Sequence, residues 1–394
     1  MSLSRRLGRR SLLVGAGAAA LLAAGTTDRW LPVPPGAAGD GDPVALRARI
    51  LAGVPPHTGL ATATGRLGLP AVPPVGTAGR LLSATTRIRV QLAAPDRWRV
   101  DELTPVGEVG TYRDGGVEQV WDYGANRLTT VTPPAPVRFP RASDLAPADL
   151  ARRLLGATPD DPVTALAPRR VAGLVAAGLR VTPADPNGLA GRIDVWAVPV
   201  GDGALPVAVE VAARPGTVPG GYDTDVVSGR APLLATAFTS VAPGAPPPGA
   251  LVPAPPSSAE RVRARPDDLT AGLRGVAGRP PPDRLAGRDR AALPVSGDLP
   301  ADELLPGVAV YGTGVGRFVL VPAGPDVVDG IVRGSAVAGG VDVPGLPGGT
   351  AVRIATPLLT LVVARRRRRG VLLAGPVRPA VLEAAAVELV GGGS

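Results

Sequence analysis

The feature that most constrains the fold is a series of short segments, between residues 59 and 132, in which apolar and polar side chains alternate. Alternation with a period of two is typical of β-strands that bury one face, because successive side chains point to opposite sides of a sheet. Residues that favour tight reversals of the backbone, such as Gly, Pro, Asp and Asn, separate the segments. The pattern predicts an antiparallel meander with strands at Gly59–Leu67, Thr86–Leu92, Trp98–Leu103, Gly107–Arg113, Glu118–Tyr123 and Arg127–Thr132.

Helices and further strands are predicted around this meander. Apolar residues at helical spacing predict an amphipathic helix over Pro43–Leu51 and a second helix over Ser143–Leu155, with Ser143 or Asp144 as its N-cap. The region 43–255 is therefore predicted to form one domain. Its later strands are expected at Arg170–Val175, Gly178–Pro183, Gly191–Val198, Pro206–Ala212 and Leu233–Val241.

The remainder of the chain is predicted to contain a linker and a second domain. Residues 256–300 are rich in Pro, Gly, Arg and Asp without sustained periodicity, which is typical of an irregular connection. Residues 301–394 are expected to form a small α+β domain in the order ββαβββα. Its strands are predicted at Val308–Tyr311, Arg317–Val321, Ala351–Ile354, Leu358–Val363 and Val371–Leu373, and its helices at Pro325–Ala338 and Pro379–Val390.

The first residues indicate export. Arg5, Arg6, Arg9 and Arg10 precede an uninterrupted apolar run, Ser11–Gly25, that is shorter than a membrane-spanning helix requires. We therefore predict that residues 1–28 are a signal peptide or an N-terminal membrane anchor, which would place the protein outside the cytoplasm. A basic tail before a soluble Ala-rich helix is the alternative interpretation.

The composition and motifs argue against an enzyme. The chain has no Cys and a single His, so thiolate chemistry is excluded, and a metal site at His57 would need carboxylates for its other ligands. His57 is interpreted as a turn residue. No Gly-x-Ser-x-Gly elbow occurs, and Gly312–Gly316 lacks the spacing of a dinucleotide loop and is interpreted as a hairpin turn. We predict no catalytic residues, no metal and no cofactor.

Acid/base catalysis and nucleic-acid binding are also disfavoured. Asp101 and Glu102 are adjacent in a predicted strand and face opposite sides, so they cannot share a proton. The formal net charge is +9, and it includes the Arg residues of the N-terminal segment. The charge that remains is too modest to predict a nucleic-acid partner.

Two sets of residues are candidates for binding. Aromatic side chains on the predicted strands should form the dry face of the sheet, or should line an open apolar groove for an acyl chain or hydrophobic peptide. The groove hypothesis names Trp98, Val100, Tyr112, Trp121 and Trp196. A run of five Arg between two apolar strands is interpreted either as a solvated loop or as a contact for anionic lipid headgroups or an acidic partner. This run consists of Arg365, Arg366, Arg367, Arg368 and Arg369.

Several of these segments resemble strands of the LolA/RseB (MucB) superfamily, including its actinobacterial-type regulatory proteins. The family pattern of Trp-Arg-Val-Asp, Tyr-Arg-Asp-Gly and Trp-Asp strands is similar to Trp98–Asp101, Tyr112–Gly115 and Trp121–Asp122. A later valine-tryptophan and leucine-proline hairpin of the family resembles Val195–Trp196 and Leu205–Pro206. The resemblance covers about residues 43–255, and the Arg run is not part of it.

The resemblance implies a fold and a function. The fold class is α+β: an unclosed antiparallel β-barrel, or half-barrel, with a helical lid, followed by a small α+β C-terminal domain. Members bind lipid or the acyl chains of lipoproteins in the apolar cavity, or sense envelope stress by contacting an anti-sigma factor. We therefore expect a non-enzymatic extracytoplasmic binding protein for lipid or lipoprotein acyl chains. The alternative is an RseB-like regulator of a sigma factor that binds an anti-sigma factor.

Overall fold

The structure of the protein is a computed structural model that contains two β-sheets with helices packed against them. The predicted signal segment lies outside the described residues, so the interpretation of residues 1–28 stays a prediction. Among the described residues, no helix has the length and apolar character needed to cross a membrane. The structure describes residues 41–68, 76–105, 107–134, 140–264, 280–293, 305–335, 339–346, 348–367 and 369–391.

The first sheet has 12 strands in the order β12-β6-β5-β4-β3-β2-β1-β11-β10-β9-β8-β7. Every pairing is antiparallel except that of β12 with β6, which is parallel. The end strands β12 and β7 do not pair with each other, so the sheet is unclosed. The strands are β1 (His57–Gly65), β2 (Thr85–Ala94), β3 (Arg97–Thr104), β4 (Gly107–Asp114), β5 (Val117–Asp122), β6 (Arg127–Val131), β7 (Val163–Val171), β8 (Leu174–Val181), β9 (Ala190–Val200), β10 (Gly203–Ala213), β11 (Leu234–Pro243) and β12 (Glu260–Ala264).

Helices cover one face of this sheet. The helix α1 (Pro43–Ala52) begins at Asp42, whose carboxylate accepts a hydrogen bond from the Val44 amide at 2.9 Å. A 3-10 turn (Ala142–Leu145) leads into α3 (Pro147–Ala157), and Ile50 and Leu155 are fully buried between the helices and the sheet. Burial of each such side chain contributes about 1.5–3 kcal/mol. Shorter helices are α2 (Gly76–Ser83) and α4 (Thr224–Val227).

The second sheet has 8 strands in the order β13-β14-β15-β16-β20-β19-β18-β17. Helices α5 (Pro325–Ser335) and α6 (Pro379–Ala386) pack against it, and Tyr311 stacks on Phe318 in its core. An unclosed half-barrel followed by a small α+β unit is the fold class that we predicted, and it is confirmed. The strands are β13 (Arg284–Leu285), β14 (Arg288–Ala291), β15 (Ala309–Tyr311), β16 (Phe318–Ala323), β17 (Val341–Asp342), β18 (Gly349–Ala355), β19 (Thr360–Arg366) and β20 (Arg369–Gly375).

The segment predicted as a linker contributes strands to both sheets. Glu260–Ala264 pairs with β6 of the first sheet, and β13 and β14 extend the second sheet. Most side chains of these strands are exposed or half-buried, so they lack the apolar alternation that marks a strand in sequence. Residues 265–279 and 294–304, which connect these strands, lie outside the described part of the chain.

The two sheets contact each other through a short backbone ladder. The Leu189 amide donates to the Pro376 carbonyl at 2.9 Å, and the Arg378 amide donates to the Asn187 carbonyl at 2.8 Å. Beside this ladder, the Arg288 guanidinium lies 2.8 Å from the Asp185 carboxylate, and only 13% of the Arg288 side chain is exposed. These contacts join the half-barrel to the second sheet.

Candidate functional site

A cavity of about 240 Å³ lies between the helix-covered face of the first sheet and the elements α3 and the 3-10 turn. Its walls are mainly apolar because the strand register brings one set of side chains to this face. Val90 pairs with Val100, and Leu92 pairs with Trp98. We call this space the sheet–helix cavity. Its lining residues are Val54, His57, Val90, Leu92, Pro95, Trp98, Val100, Ser143, Ala146, Ala148, Asp149, Arg152 and Arg153.

His57 lies in the wall of the cavity and is not a turn residue, which corrects the sequence interpretation. It is the first residue of β1, and 1% of it is exposed. Its Nδ1 lies 2.9 Å from the Pro55 carbonyl, which only accepts hydrogen bonds, so the neutral ring carries its proton on Nδ1. Burial lowers the pKa of His57 below 6.5, and the hydrogen bond to Pro55 opposes that shift. The uncharged ring therefore presents Nε2 as an acceptor, and Nε2 is buried without a hydrogen-bond partner in the described chain.

Ser143 provides a second polar atom in the cavity wall. The residue belongs to the 3-10 turn and is 6% exposed, and its Oγ is buried with no hydrogen-bond partner among the described residues. Burying a hydroxyl without a partner costs about 1–3 kcal/mol. The same cavity wall thus contains two unsatisfied polar atoms, His57 Nε2 and Ser143 Oγ.

Charged side chains form the rim. Arg153 is 58% exposed and pairs with Asp144 at 3.0 Å and with Asp149 at 2.7 Å. The neighbouring Arg152 is half-buried, and within the described residues it has neither an ion pair nor a hydrogen-bond partner for its Nε. The rim therefore contains one cation, Arg152, whose charge is not neutralised by the described part of the chain.

The structure does not bring the five predicted groove residues together. Trp98 and Val100 line the sheet–helix cavity, but Tyr112 pairs in register with Arg99, and Trp121 with Gly110, which places both on the opposite face of the sheet. Trp196 also lies on that opposite face, because it pairs with Gly178 and Ala208 in line with Asp194, Arg180 and Glu210. The prediction that all five residues line one groove is therefore wrong: two of them line the cavity, and three lie on the opposite face of the sheet.

The three other aromatics have structural contacts. Tyr112 and Trp121 pack with Leu128 and Ala259 in a small buried cluster. The Trp196 indole donates to the Ala167 carbonyl at 3.2 Å, and the Arg169 guanidinium lies 3.6 Å above its ring. Such a cation–π contact and hydrogen bond fix the ring in place.

A buried ion network lies on the same outer face. Asp101 is fully buried and accepts hydrogen bonds from Arg99 at 2.7 Å and from Arg89 at 3.2 Å, and both Arg also reach Glu108. Burial raises the pKa of Asp101, and the hydrogen bond from Arg99 opposes that shift. Glu102 is on the other face, where it pairs with Arg80 at 2.6 Å, as the alternation of strand residues predicted.

The Arg run forms the hairpin between β19 and β20. Arg365 pairs with Asp329 of α5 at 3.1 Å, and Arg366 donates to the Gly391 carbonyl at 3.0 Å, so these two side chains have partners within the chain. Arg367 and Arg369 are exposed, and no partner within the described residues is recorded for them. Arg368 lies outside the described residues. The hairpin therefore presents Arg367 and Arg369 to solvent.

Signals in the sequence are weak for three of the residues that line the cavity, Ser143, Arg152 and His57. Ser143 was identified only as a helix N-cap, and Arg152 only as part of a helix, because neither lies in a recognisable motif. His57 follows Pro55-Pro56, which suggested a turn. Among the described residues, no group of three or more His, Asp or Glu is placed to hold a metal ion.

No protein-family model and no curated protein matches the chain. Among solved structures, the Pseudomonas aeruginosa MucA/MucB complex is similar over 87% of this chain and 95% of that chain, with 17% identity and a TM-score of 0.44. A crystal structure of MucB matches over 86% of this chain and 94% of that one, with 15% identity and a TM-score of 0.38. A putative outer membrane lipoprotein-sorting protein domain from Vibrio parahaemolyticus matches over 51% and 90%, with 13% identity and a TM-score of 0.22.

All three TM-scores lie below 0.5 and all three identities below 25%, so these structures do not establish a ligand or a partner for this chain.

Proposed function

We propose that this protein is a non-enzymatic, extracytoplasmic binding protein that holds an acyl chain of a lipid or lipoprotein in the sheet–helix cavity. The observation that carries the proposal is an apolar cavity with a polar rim, in which Arg152 is the cation without a described partner. An acyl chain would bury its surface against Val90, Val100 and Trp98, which stabilises the complex by about 25 cal/mol per Å² of apolar area. The resemblance of the strand motifs to the LolA/RseB superfamily supports the same ligand class.

The size of the cavity limits what it accepts. Small-molecule sites usually have volumes of about 300–1,000 Å³. The sheet–helix cavity, at about 240 Å³, is smaller, so in this conformation we expect it to take part of one acyl chain and not a multi-chain lipid. An anionic end of the ligand would lie at the rim near Arg152.

The absence of catalysis and the location are parts of the proposal. Ser143 and His57 line the same cavity but form no hydrogen bond with each other, and His57 Nδ1 is bonded to a backbone carbonyl and not to a carboxylate. A serine nucleophile needs a hydrogen-bonded base, so this pair supports binding and not hydrolysis.

The apolar run behind Arg9 and Arg10 supports export or attachment to the cell membrane.

Native mass spectrometry tests the proposal. The full chain, gently extracted from its source or incubated with a long-chain fatty acid, is expected to retain one acyl ligand. Trp98→Ser removes a partly buried wall of the cavity and should reduce uptake at least about tenfold, because an aromatic wall of this kind contributes several kcal/mol of contact energy. Tyr123→Ser is the matched control, since Tyr123 is 45% exposed and does not line the cavity. If the wild-type chain neither retains nor takes up lipid, the proposal is wrong.

A second candidate function is regulation of a sigma factor through binding of an anti-sigma factor. The exposure of Arg367 and Arg369 at the β19–β20 hairpin favours a contact with an acidic segment of such a partner. Replacing these two Arg with Ser should weaken capture of the partner from the source membrane fraction without changing thermal stability. Replacing Arg365 with Ser instead should mainly reduce stability, because Arg365 pairs with Asp329. If the Arg367/Arg369 double variant captures every wild-type partner equally, this hairpin is not the contact.

A further inference from the structure

Two residues that line the sheet–helix cavity, His57 and Ser143, each have a polar side-chain atom without a partner in the described chain. His57 Nε2 and Ser143 Oγ are each buried, each lacks a partner in the described chain, and both residues line the same space. His57 is 1% exposed and Ser143 is 6% exposed, so bulk water does not hydrate these atoms as it would on a surface. Unsatisfied polar atoms at this depth are uncommon in native proteins and call for an explanation.

The chemistry of the two atoms is not equivalent. The Pro55 carbonyl fixes the proton of the imidazole on Nδ1, so Nε2 only accepts. The edge-to-face contact with Phe238, at a centroid distance of 5.6 Å and an interplanar angle of 83°, holds the ring in this orientation. Ser143 Oγ both donates and accepts. A ligand group that pairs with Nε2 must therefore donate a hydrogen bond, whereas Ser143 Oγ can pair with either a donor or an acceptor.

We infer that the cavity recognises an apolar ligand that carries a hydroxyl or amide N–H donor within its chain, and that His57 and Ser143 are the residues that select it. This inference rests on the proposed acyl-binding function and specifies the ligand class. A plain hydrocarbon segment would enter the cavity but would leave Nε2 unpaired. A donor on the ligand forms a hydrogen bond with Nε2. A binding site discriminates most strongly between similar ligands when one of them leaves a buried polar atom of the site unpaired.

The test uses two isomers that differ only in whether their oxygen can donate. 1-Hexanol and 1-methoxypentane have the same atoms, and both are small enough to probe a cavity of about 240 Å³. Dissociation constants for the full chain are measured by ligand-observed NMR, with displacement by a long-chain fatty acid to show that the probe occupies the acyl site. We expect the alcohol to bind at least about fivefold more tightly than the ether, since a buried acceptor without a partner costs about 1–3 kcal/mol.

Variants assign the preference to its residues. His57→Phe keeps an aromatic ring of similar shape against Phe238 but removes the acceptor, so the alcohol-to-ether ratio should fall to about 1 while the ether still binds. Ser143→Ala, a smaller change, should leave a reduced preference for the alcohol. Tyr123→Ser is the control, because Tyr123 is exposed and does not line the cavity, and it should keep the wild-type ratio. Circular dichroism confirms that each variant is folded.

The outcomes separate the inference from the function on which it rests. If neither isomer nor the fatty acid binds, the proposed acyl-binding function is wrong. If the fatty acid and both isomers bind, but with equal affinity, the function stands and the selection by His57 and Ser143 is overturned, as would happen if an ordered water satisfied both atoms. A preference for the alcohol that persists in both His57→Phe and Ser143→Ala would also overturn the assignment.

Discussion

At the scale of single residues, His57 should make the stability of the protein depend on pH. Burial lowers the pKa of the folded-state imidazole below 6.5, so between 6.5 and that lower value the unfolded chain binds a proton that the folded chain does not. The free energy of unfolding should therefore fall as the pH falls below 6.5. His57→Phe should remove this part of the pH dependence, because His57 is the sole histidine in the chain.

Urea unfolding between pH 8 and pH 5 measures this effect. The informative quantity is the difference in free energy of unfolding between the wild type and His57→Phe, which cancels the carboxylates that both proteins share. If the variant becomes steadily more stable relative to the wild type as the pH falls from 8 to 5, the result supports a buried neutral histidine. A constant difference across the range would contradict it.

Asp101 is the residue of the outer-face ion network whose loss should cost most. It is fully buried between Arg99 and Arg89, and removing its charge leaves Arg99, with 14% of its side chain exposed, beside a neutral group. Removal of one partner of a buried pair typically destabilises by about 3–5 kcal/mol. Because Arg99 and Arg89 keep Glu108 as a partner, we expect Asp101→Asn to lower the free energy of unfolding by about 1.5–3 kcal/mol, at or below the lower end of that range.

The control for Asp101→Asn is Asp225→Asn. Asp225 and its partner Arg230 are 65% and 70% exposed, and ion pairs at such sites are worth about 0–1 kcal/mol. Chemical unfolding of both variants at neutral pH makes the comparison. Equal losses in the two variants would show that the buried network adds nothing beyond a surface pair.

Alternation within one strand separates its residues into two faces, but it does not show which residues of the neighbouring strand share each face. The turns that join the strands show this, because they set the pairing register. Thr104 pairs with Gly107, so the hairpin register places Tyr112 opposite Arg99 and not opposite Trp98. Asp114 pairs with Val117, which in turn places Trp121 opposite Gly110. Counting residues outward from the turns thus assigns Tyr112 and Trp121 to the face of the sheet opposite Trp98, from the sequence and the turn positions alone.

At the scale of elements, a segment that includes residues 256–264, the beginning of the predicted linker, packs on the outer face of the half-barrel. We call residues 244–264 the strap. Its β12 pairs with β6, the Ala250 carbonyl accepts from Arg99 at 3.3 Å, and Ala259 is buried in the cluster with Tyr112 and Trp121. The strap therefore shields the ion network and the aromatic cluster from solvent.

Ala259→Glu should release the strap. The substitution places a charge in an apolar cluster where Ala259 is 8% exposed, which is costly without a partner. Trypsin cleavage at Arg261 and Arg263 should become at least about tenfold faster under native conditions, because these residues leave the sheet. Ser257→Glu, at an exposed position of the same segment, is the control and should be cut at the wild-type rate.

The elements differ in how visible they were in the sequence, for a physical reason. β3, β4 and β5 were predicted to within one residue because they alternate apolar and polar side chains and are bounded by Pro, Asp or Gly turns. β12 and the helix α2 were missed, since β12 has no buried side chain and α2, although it buries Leu81, is only eight residues long. Of the sheet–helix cavity, only Trp98 and Val100 were predicted, because its other walls come from segments that are distant in sequence.

At the scale of the whole molecule, the half-barrel and the second sheet should unfold together because of the ladder between residues 187–189 and 376–378 and the ion pair beside it. Arg288 also donates to the Gly316 carbonyl at 3.0 Å, so its contact with Asp185 ties β14 and the β15–β16 connection to the half-barrel. Trp98, Trp121 and Trp196 lie in strands of the half-barrel, and the fourth tryptophan, Trp30, lies outside the described residues. Tryptophan fluorescence therefore carries no signal from the second sheet, whereas far-ultraviolet circular dichroism reports on both sheets.

Asp185→Ala should separate the two transitions. The Asp185–Arg288 pair is mostly buried and hydrogen-bonded, and a charge-assisted hydrogen bond of this kind contributes about 1.5–3 kcal/mol. In the wild type we expect the circular dichroism and fluorescence transitions in urea to coincide. Loss of the ion pair weakens the coupling, so in Asp185→Ala the circular dichroism transition should broaden and shift away from the fluorescence transition. Asp289→Ala is the control, because Asp289 is 88% exposed and lies 3.8 Å from its partner Arg284. If the two signals still coincide in Asp185→Ala, the ion pair does not couple the sheets, and the backbone ladder alone would have to account for their joint unfolding.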